Sequence, residues 1–226
     1  MVLVQANSMK HLIWVALAAT MLFSAAPRAM AQSDPRAEKL LKRLEQKLES
    51  YDRFRADFRY TMVNQAANLE ETQEGVILVD QQGRFRLTMP EQTIYCDLEK
   101  LTVWMQDLNE VQISKYRPEE FEFAPSEMFK MYESGFVYAM LGKKKVDSKS
   151  YTQVELTPKD KSKPYFKIKL LIDESAMEPY QTELRYKNGN VYTYTIKAFD
   201  PNPDVPATFY RFDESEHPDA TVVDLR

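Results

Sequence analysis

The sequence predicts a mainly β protein of the α+β class, built as one antiparallel sheet with an amphipathic helix ahead of it. Three observations carry this. Residues 54–62 alternate strictly, with Phe54, Ala56, Phe58, Tyr60 and Met62 set against Arg53, Arg55, Asp57, Arg59 and Thr61. A strand sends successive side chains to opposite faces, so one face is apolar and the other charged. Short runs of the same kind recur with tight polar links between them, which favours antiparallel neighbours. Residues 37–51 instead repeat at three- and four-residue steps, the period of a helix.

The chain opens on a segment with its own logic. Lys10 and His11 precede an apolar run over 12–26, and Ala29-Met30-Ala31 follows. A basic start, an apolar core of this length and a small-x-small site make a secretory signal peptide, with cleavage expected after Ala31. The run is short for a membrane span and is interrupted by Pro27 and Arg28. Residues 32–226 then form the folded domain. The chain of 226 residues carries a formal charge of −4, which becomes more negative once Lys10 and Arg28 leave. An acidic balance argues against a nucleic-acid partner.

Asp34-Pro35 suits a helix start, Asp as cap and Pro at the first helical position. Ala37, Leu40, Leu41, Leu44, Leu48 and Tyr51 make its apolar stripe. After strand 54–62, residues 64–74 are polar and read as an open loop or ragged hairpin. Strand 76–79 follows Gly75, and Asp80-Gln81-Gln82-Gly83 is a turn. Phe85, Leu87 and Met89 alternate up to Pro90, and strands 93–96, 101–105 and 111–114 continue the meander. The middle reads differently. Pro125-Ser126-Glu127 introduces a short helix over 128–132. Phe136, Tyr138, Met140 and Leu141 read as a connector rich in apolar residues, closed by the basic patch Lys143-Lys144-Lys145. Strands 151–156 and 166–172 follow, then a hairpin over 183–196 turned at Asn188-Gly189. The count is about ten strands and two helices.

Catalytic chemistry finds little to build on. Gly is scarce, and no phosphate-binding loop, H-E-x-x-H, CxxC or G-x-S-x-G pattern occurs. Cys96 is the single cysteine, which allows no internal disulfide and reads as a buried inert thiol. His217 is the one histidine left after His11 is removed, so no metal or nucleophile–base pair is expected. Acidic pairs such as Glu119-Glu120 read as solvated. The expectation is no enzyme, no metal and no cofactor.

Binding of something apolar is the other possibility. One helix is about 10 Å wide, whereas ten strands span about 48 Å if flat. Either the sheet curls on an ordinary core, with the second helix as a plug, or it curls into a trough open to a ligand. On composition alone the ordinary core is the better reading, because Met and aromatic stripes are more often core.

The ordered set Phe54-x-Ala56-x-Phe58, Gly75-Val76-Ile77-Leu78-Val79, Gly83-x-Phe85-Arg86, Pro90 and Trp104…Asn109-Glu110-Val111-Gln112 resembles the periplasmic outer-membrane lipoprotein carriers, the LolA family. Pro125-Ser126-x-Met128-Phe129, Tyr132-Glu133-x-Gly135-Phe136, Pro164-Tyr165-Phe166-Lys167-Ile168 and Val223-Asp224-Leu225-Arg226 are similar to one branch of it. The resemblance covers nearly all of residues 32–226. It implies an unclosed antiparallel half-barrel, with the N-terminal helix and a short helical cover over a concave apolar face. It implies a soluble, monomeric periplasmic carrier. Its partners would be acylated lipoprotein cargo, an inner-membrane lipoprotein-releasing transporter and an outer-membrane acceptor. The acyl-chain site would be Phe54, Phe58, Tyr60, Met62, Val76, Leu78, Phe85, Leu87, Met89, Trp104, Met128, Phe129, Met131, Tyr132 and Phe136. Other functions on such a fold are a lipid-sensing regulatory module or a carrier of free lipid or glycolipid. Where family members carry a basic residue and Pro after the second strand, as part of a latch, this chain has Asp80-Gln81-Gln82. Leu98 stands where the family has Gly.

Overall fold

A computed structural model describes residues 33–118 and 135–226. Helix α1 (Pro35–Glu49) begins as its sequence predicts: Asp34 Oδ1 accepts the backbone N–H of Arg36 at 2.9 Å, and Pro35 takes the first position. The helix buries Ala37, Leu40, Leu41, Leu44 and Leu48.

Among the described residues twelve strands follow in one sheet: β1 (Arg53–Asn64), β2 (Leu69–Asp80), β3 (Phe85–Thr88), β4 (Gln92–Cys96), β5 (Lys100–Met105), β6 (Glu110–Lys115), β7 (Phe136–Val146), β8 (Lys149–Pro158), β9 (Tyr165–Asp173), β10 (Glu178–Tyr186), β11 (Val191–Pro201) and β12 (Thr221–Asp224). Their spatial order is β12-β6-β5-β4-β3-β2-β1-β11-β10-β9-β8-β7. The sheet is two meanders set back to back, β1–β6 and β7–β11, joined along β1 and β11. All pairings are antiparallel except β12, which runs parallel to β6. The order is linear, so the barrel stays unclosed.

The sheet is strongly curled. Phe85 and Cys96 from β3 and β4 share one buried cluster with α1 and with Phe136, Val154 and Ile168 from β7, β8 and β9. Strands β4 and β7 lie eight spacings apart, about 38 Å if flat, which one helix about 10 Å wide bridges only if the sheet wraps around it. Bulges at Asp57/Phe58, Met140/Gly142 and Pro179/Gln181 supply local bends.

Three details go beyond the sequence reading. Of the open loop or ragged hairpin expected over residues 64–74, the hairpin is what forms: residues 69–74 are the first half of β2, paired with β1 as far as Leu69↔Asn64. Their side chains are mostly exposed, so polarity there reports a solvated hairpin arm, not a missing strand. The apolar segment after Gly135 is strand β7, with Phe136, Tyr138 and Met140 facing inward opposite Pro158, Leu156 and Val154. Thr221–Asp224 forms β12. The expected helix over 128–132 lies outside the described residues.

The β7 edge is capped at its start. Asp34 N–H donates to Tyr138 O at 2.9 Å, and Ser33 Oγ accepts from Tyr138 N–H at 3.2 Å. Covering an edge in this way blocks further pairing there. On the outer face, residues 206–217 pack across β3–β5. Phe212 meets Tyr95 and Trp104, and Arg86 lies 4.8 Å from the Phe209 ring.

Candidate functional site

Cross-strand register decides which side chains share a face. Phe54, Ala56, Phe58, Tyr60 and Met62 of β1 stand opposite Val79, Ile77, Gly75, Gln73 and Glu71 of β2. On the other side of β1 they meet Pro201, Phe199, Ile196, Tyr194 and Tyr192 of β11. This is the inward face, because its lower members pack with α1.

The helix covers only one end of it. Phe54 and Ala56 are each 2% exposed, and Phe85 is 1% exposed. From Phe58 onward every inward residue of β1 is half-buried. The change comes at the Asp57/Phe58 bulge. Beyond it lies a trough walled by aromatic rings. The Tyr60 ring sits 5.3 Å from that of Tyr194 and 6.1 Å from that of Tyr192, and Phe58 sits 6.3 Å from Tyr194. Tyr186 meets Tyr192 edge-on at 4.8 Å. These separations are those of favourable offset and edge contacts.

Gly75 marks the tightest point. A Cβ there would fall 2.5 Å from Met89 Sδ and 2.8 Å from Phe58 Cζ. The missing side chain lets the Phe58 ring and the Met89 thioether lie over bare backbone. A cavity of about 520 Å³ crosses the same strands, lined by Phe58, Gly75 and Met89 of this face together with Asp57, Glu74, Val76 and Lys197.

The residues expected at an acyl-chain site therefore separate into groups. Phe54, Phe85 and Phe136 lie in the core beneath the helix. Phe58, Tyr60, Met62, Leu87 and Met89 face inward and are half-buried. Val76, Leu78 and Trp104 are corrected: they point to the outer face. Val76 stands opposite Asp57 and Leu78 opposite Arg55. The run Val76-Ile77-Leu78-Val79 is apolar on both faces, so alternation alone cannot assign it. Trp104 pairs with Thr93 and Val111, and its ring lies 3.9 Å from His217 and 5.9 Å from Phe212. It anchors the tail. Met128, Phe129, Met131 and Tyr132 lie outside the described residues. The expected site lacked Tyr192, Tyr194 and Ile196. Their alternation in β11 carries the same signal as that of β1.

Titration follows burial. Tyr194 is pushed up to about 12 by burial, reinforced by the Tyr60 and Tyr192 hydroxyls. Burial likewise raises Tyr60, with Tyr192 and Glu71 adding to it. Cys96 is pushed up to about 11 by burial, which leaves a thiol rather than a nucleophile. Among the described residues no group of three or more His, Cys, Asp or Glu side chains is placed to hold a metal. No helix among them is long and apolar enough to cross a membrane.

The Asp80–Gly83 turn has its own contact with the helix. Gln81 Nε2 donates to Glu49 O, and Gln81 N–H donates to Asp52 O at 3.0 Å. Asp80, 4% exposed, accepts from the Arg84 guanidinium at 2.7 Å. Leu98 has φ 79°, so it holds the left-handed conformation that Gly adopts freely.

No protein-family model matches the chain, and no curated protein matches it. Solved structures do. An uncharacterised conserved protein of Thermus thermophilus is 13% identical over 84% of this chain and 99% of its own, with a TM-score of 0.54. LprF of Mycobacterium bovis is 12% identical over 77% of this chain and 98% of its own, with a TM-score of 0.50. A LolA superfamily protein of Nitrosomonas europaea, NE2245, is 16% identical over 78% and 98%, with a TM-score of 0.43. At these identities the likeness is one of fold alone, an open antiparallel sheet that curls without closing into a barrel.

Proposed function

We propose that this protein is a soluble periplasmic carrier that shields the acyl chains of lipoproteins and moves them from the inner to the outer membrane. The observation that carries the reading is the half-covered inward face. Helix α1 fills one end of the curled sheet, and the other end keeps Phe58, Tyr60, Met62, Leu87 and Met89 half-buried. Each CH₂ moved from water into such a trough contributes about 0.8 kcal/mol, so a dozen give roughly 10 kcal/mol. The contact is non-directional, which suits cargo that shares acyl chains and little else. Thioether side chains adapt to varied chain positions.

In this reading residues 1–31 are a signal peptide removed after Ala31, and residues 32–226 are the carrier domain. It works as a monomer, receives cargo from an inner-membrane lipoprotein-releasing transporter and passes it to an outer-membrane acceptor. It performs no reaction and uses no cofactor. Native mass spectrometry of protein purified from periplasm should find acylated protein bound, and added carrier should release lipoprotein from inner-membrane vesicles. A protein that retains no acyl species and releases none overturns the reading.

A further inference from the structure

The open end of the trough is not uniformly apolar. Two cross-strand rows meet there. Gln73, Tyr60 and Tyr194 form one, and Glu71, Met62 and Tyr192 the next. Gln73 Nε2 donates to Glu71 Oε1 at 2.6 Å, which leaves the second carboxylate oxygen and the Gln73 carbonyl as acceptors. Tyr192 OH accepts from Asn190 Nδ2 at 2.8 Å. The hydroxyls of Tyr60 and Tyr194 have no hydrogen-bond partner among the described residues, and neither is sealed from solvent as Tyr210 OH is. Acceptor oxygens of Glu71 and Gln73, tyrosine hydroxyls able to donate or accept, and aromatic faces thus converge on one small area.

The charge pattern points the same way. Among the described strands, alternation sends Arg53, Arg55, Arg59, Arg86 and Lys169 to the outer face. The inward-facing cations of the strands are Lys143 and Lys145, at the far β7 edge, and Lys143 is bound to Glu174 at 2.6 Å. An anionic group beside Tyr60 and Tyr194 would meet Glu71 and no counter-charge from the strands around it. A hydroxyl or ammonium group would find acceptors and ring faces.

We propose that the Tyr60–Tyr194–Glu71 end of the trough binds the polar head of an acyl ligand, and that this head is a hydrogen-bond donor, glycosyl or amino, rather than a phosphate or carboxylate. The inference rests on the carrier reading and names the ligand class of that same trough. Acyl chain runs toward the helix over Phe58 and Met89, and the head rests on the tyrosines.

The test uses three amphiphiles with one dodecyl chain: dodecyl maltoside, dodecylammonium and dodecyl phosphate. Each is titrated calorimetrically into the purified protein below its micelle concentration. Maltoside or ammonium should bind at least about tenfold tighter than phosphate, the worth of one or two well-made hydrogen bonds. Glu71→Gln separates the sources: it should weaken ammonium about tenfold and maltoside much less. Tyr60→Phe and Tyr194→Phe keep the rings and should each weaken the preferred head by about fivefold. Phosphate binding as tightly as the other two, or tyrosine variants without effect, overturns head selection and leaves the acyl trough standing. Failure of all three amphiphiles to bind overturns both.

Discussion

Gln81 Nε2 donates to the main-chain oxygen of Glu49 at 2.6 Å, tying the turn after β2 to the last turn of α1. That oxygen is one of the carbonyls a helix end leaves without an internal partner. The turn after β2 thus reaches the helix through a neutral donor. Gln81→Ala should cost about 1 kcal/mol and increase amide exchange in the last turn of α1. Gln81→Lys, which keeps a donor, should restore most of both. Equal exchange in wild type and Gln81→Ala would show that the contact holds nothing.

The inward register predicts how charge is tolerated. Phe58→Glu and Met62→Glu place a carboxylate in the trough and should reduce acyl-ligand affinity at least about tenfold, the effect of an unpaired charge at an apolar contact. Arg59→Glu and Val76→Glu point outward and should change it less than about twofold. Fluorescent fatty-acid titration of the four variants checks this. Equal losses in all four would break the face assignment.

Gly75 allows no side chain without displacement. Besides Met89 and Phe58, the Thr88 carbonyl oxygen lies 2.9 Å from where a Cβ would be, and main chain cannot swing aside. Gly75→Val should destabilise by about 2 kcal/mol through overpacking. Gly75→Val combined with Met89→Ala should recover part of that, and denaturant titration gives both values.

Leu98 carries a left-handed backbone on an exposed turn. Relief of about 1 kcal/mol is expected for Leu98→Gly, and with it a rise in Tm of about 2–4 °C. A fall in Tm would mean that the Leu98 side chain contributes more than the backbone costs.

Acid sensitivity should centre on Asp173. Burial works to raise its pKa, but the Lys149 ammonium, together with the Ser175 hydroxyl and the N–H groups of Ser175 and Ala176, holds the carboxyl well below the usual carboxylate range. A depressed folded pKa adds stability above the unfolded value of about 3.9, and that stability is lost as pH falls through the folded value. Asp173→Asn should therefore cost stability at neutral pH and much less at about pH 2, below the unfolded value. An identical cost at both would remove Asp173 from the acid response.

The residues that alternate cleanly made the fold legible. Phe54 to Met62 fixed a strand and its faces, and the stripe Ala37 to Leu48 fixed the helix. Legibility failed where both faces of a strand are buried for different reasons. Val76-Ile77-Leu78-Val79 is such a run, and Trp104 is apolar because it serves a second packing layer outside the sheet. Neither face can be told without the partner strand. Residues 69–74 left loop and hairpin undecided for the opposite reason. A hairpin arm that projects into water needs no apolar residue, and its pairing with β1 leaves no mark on composition. Tyr192 and Tyr194 were readable as alternation, but their place beside Tyr60 depends on a pairing between residues far apart in sequence.

The back-to-back order of the two meanders has a consequence for assembly and for ligand response. Each meander is built from neighbouring hairpins, so each has short loops to close. The β1–β11 junction must instead join residues such as Tyr60 and Tyr194 across most of the chain, and pairings of that separation slow folding. The trough's aromatic wall straddles that junction. A ligand seated on Tyr60 and Tyr194 would grip both halves at that seam, and its binding free energy would add to the stability of the folded state. Loaded protein should therefore resist unfolding more than unloaded protein.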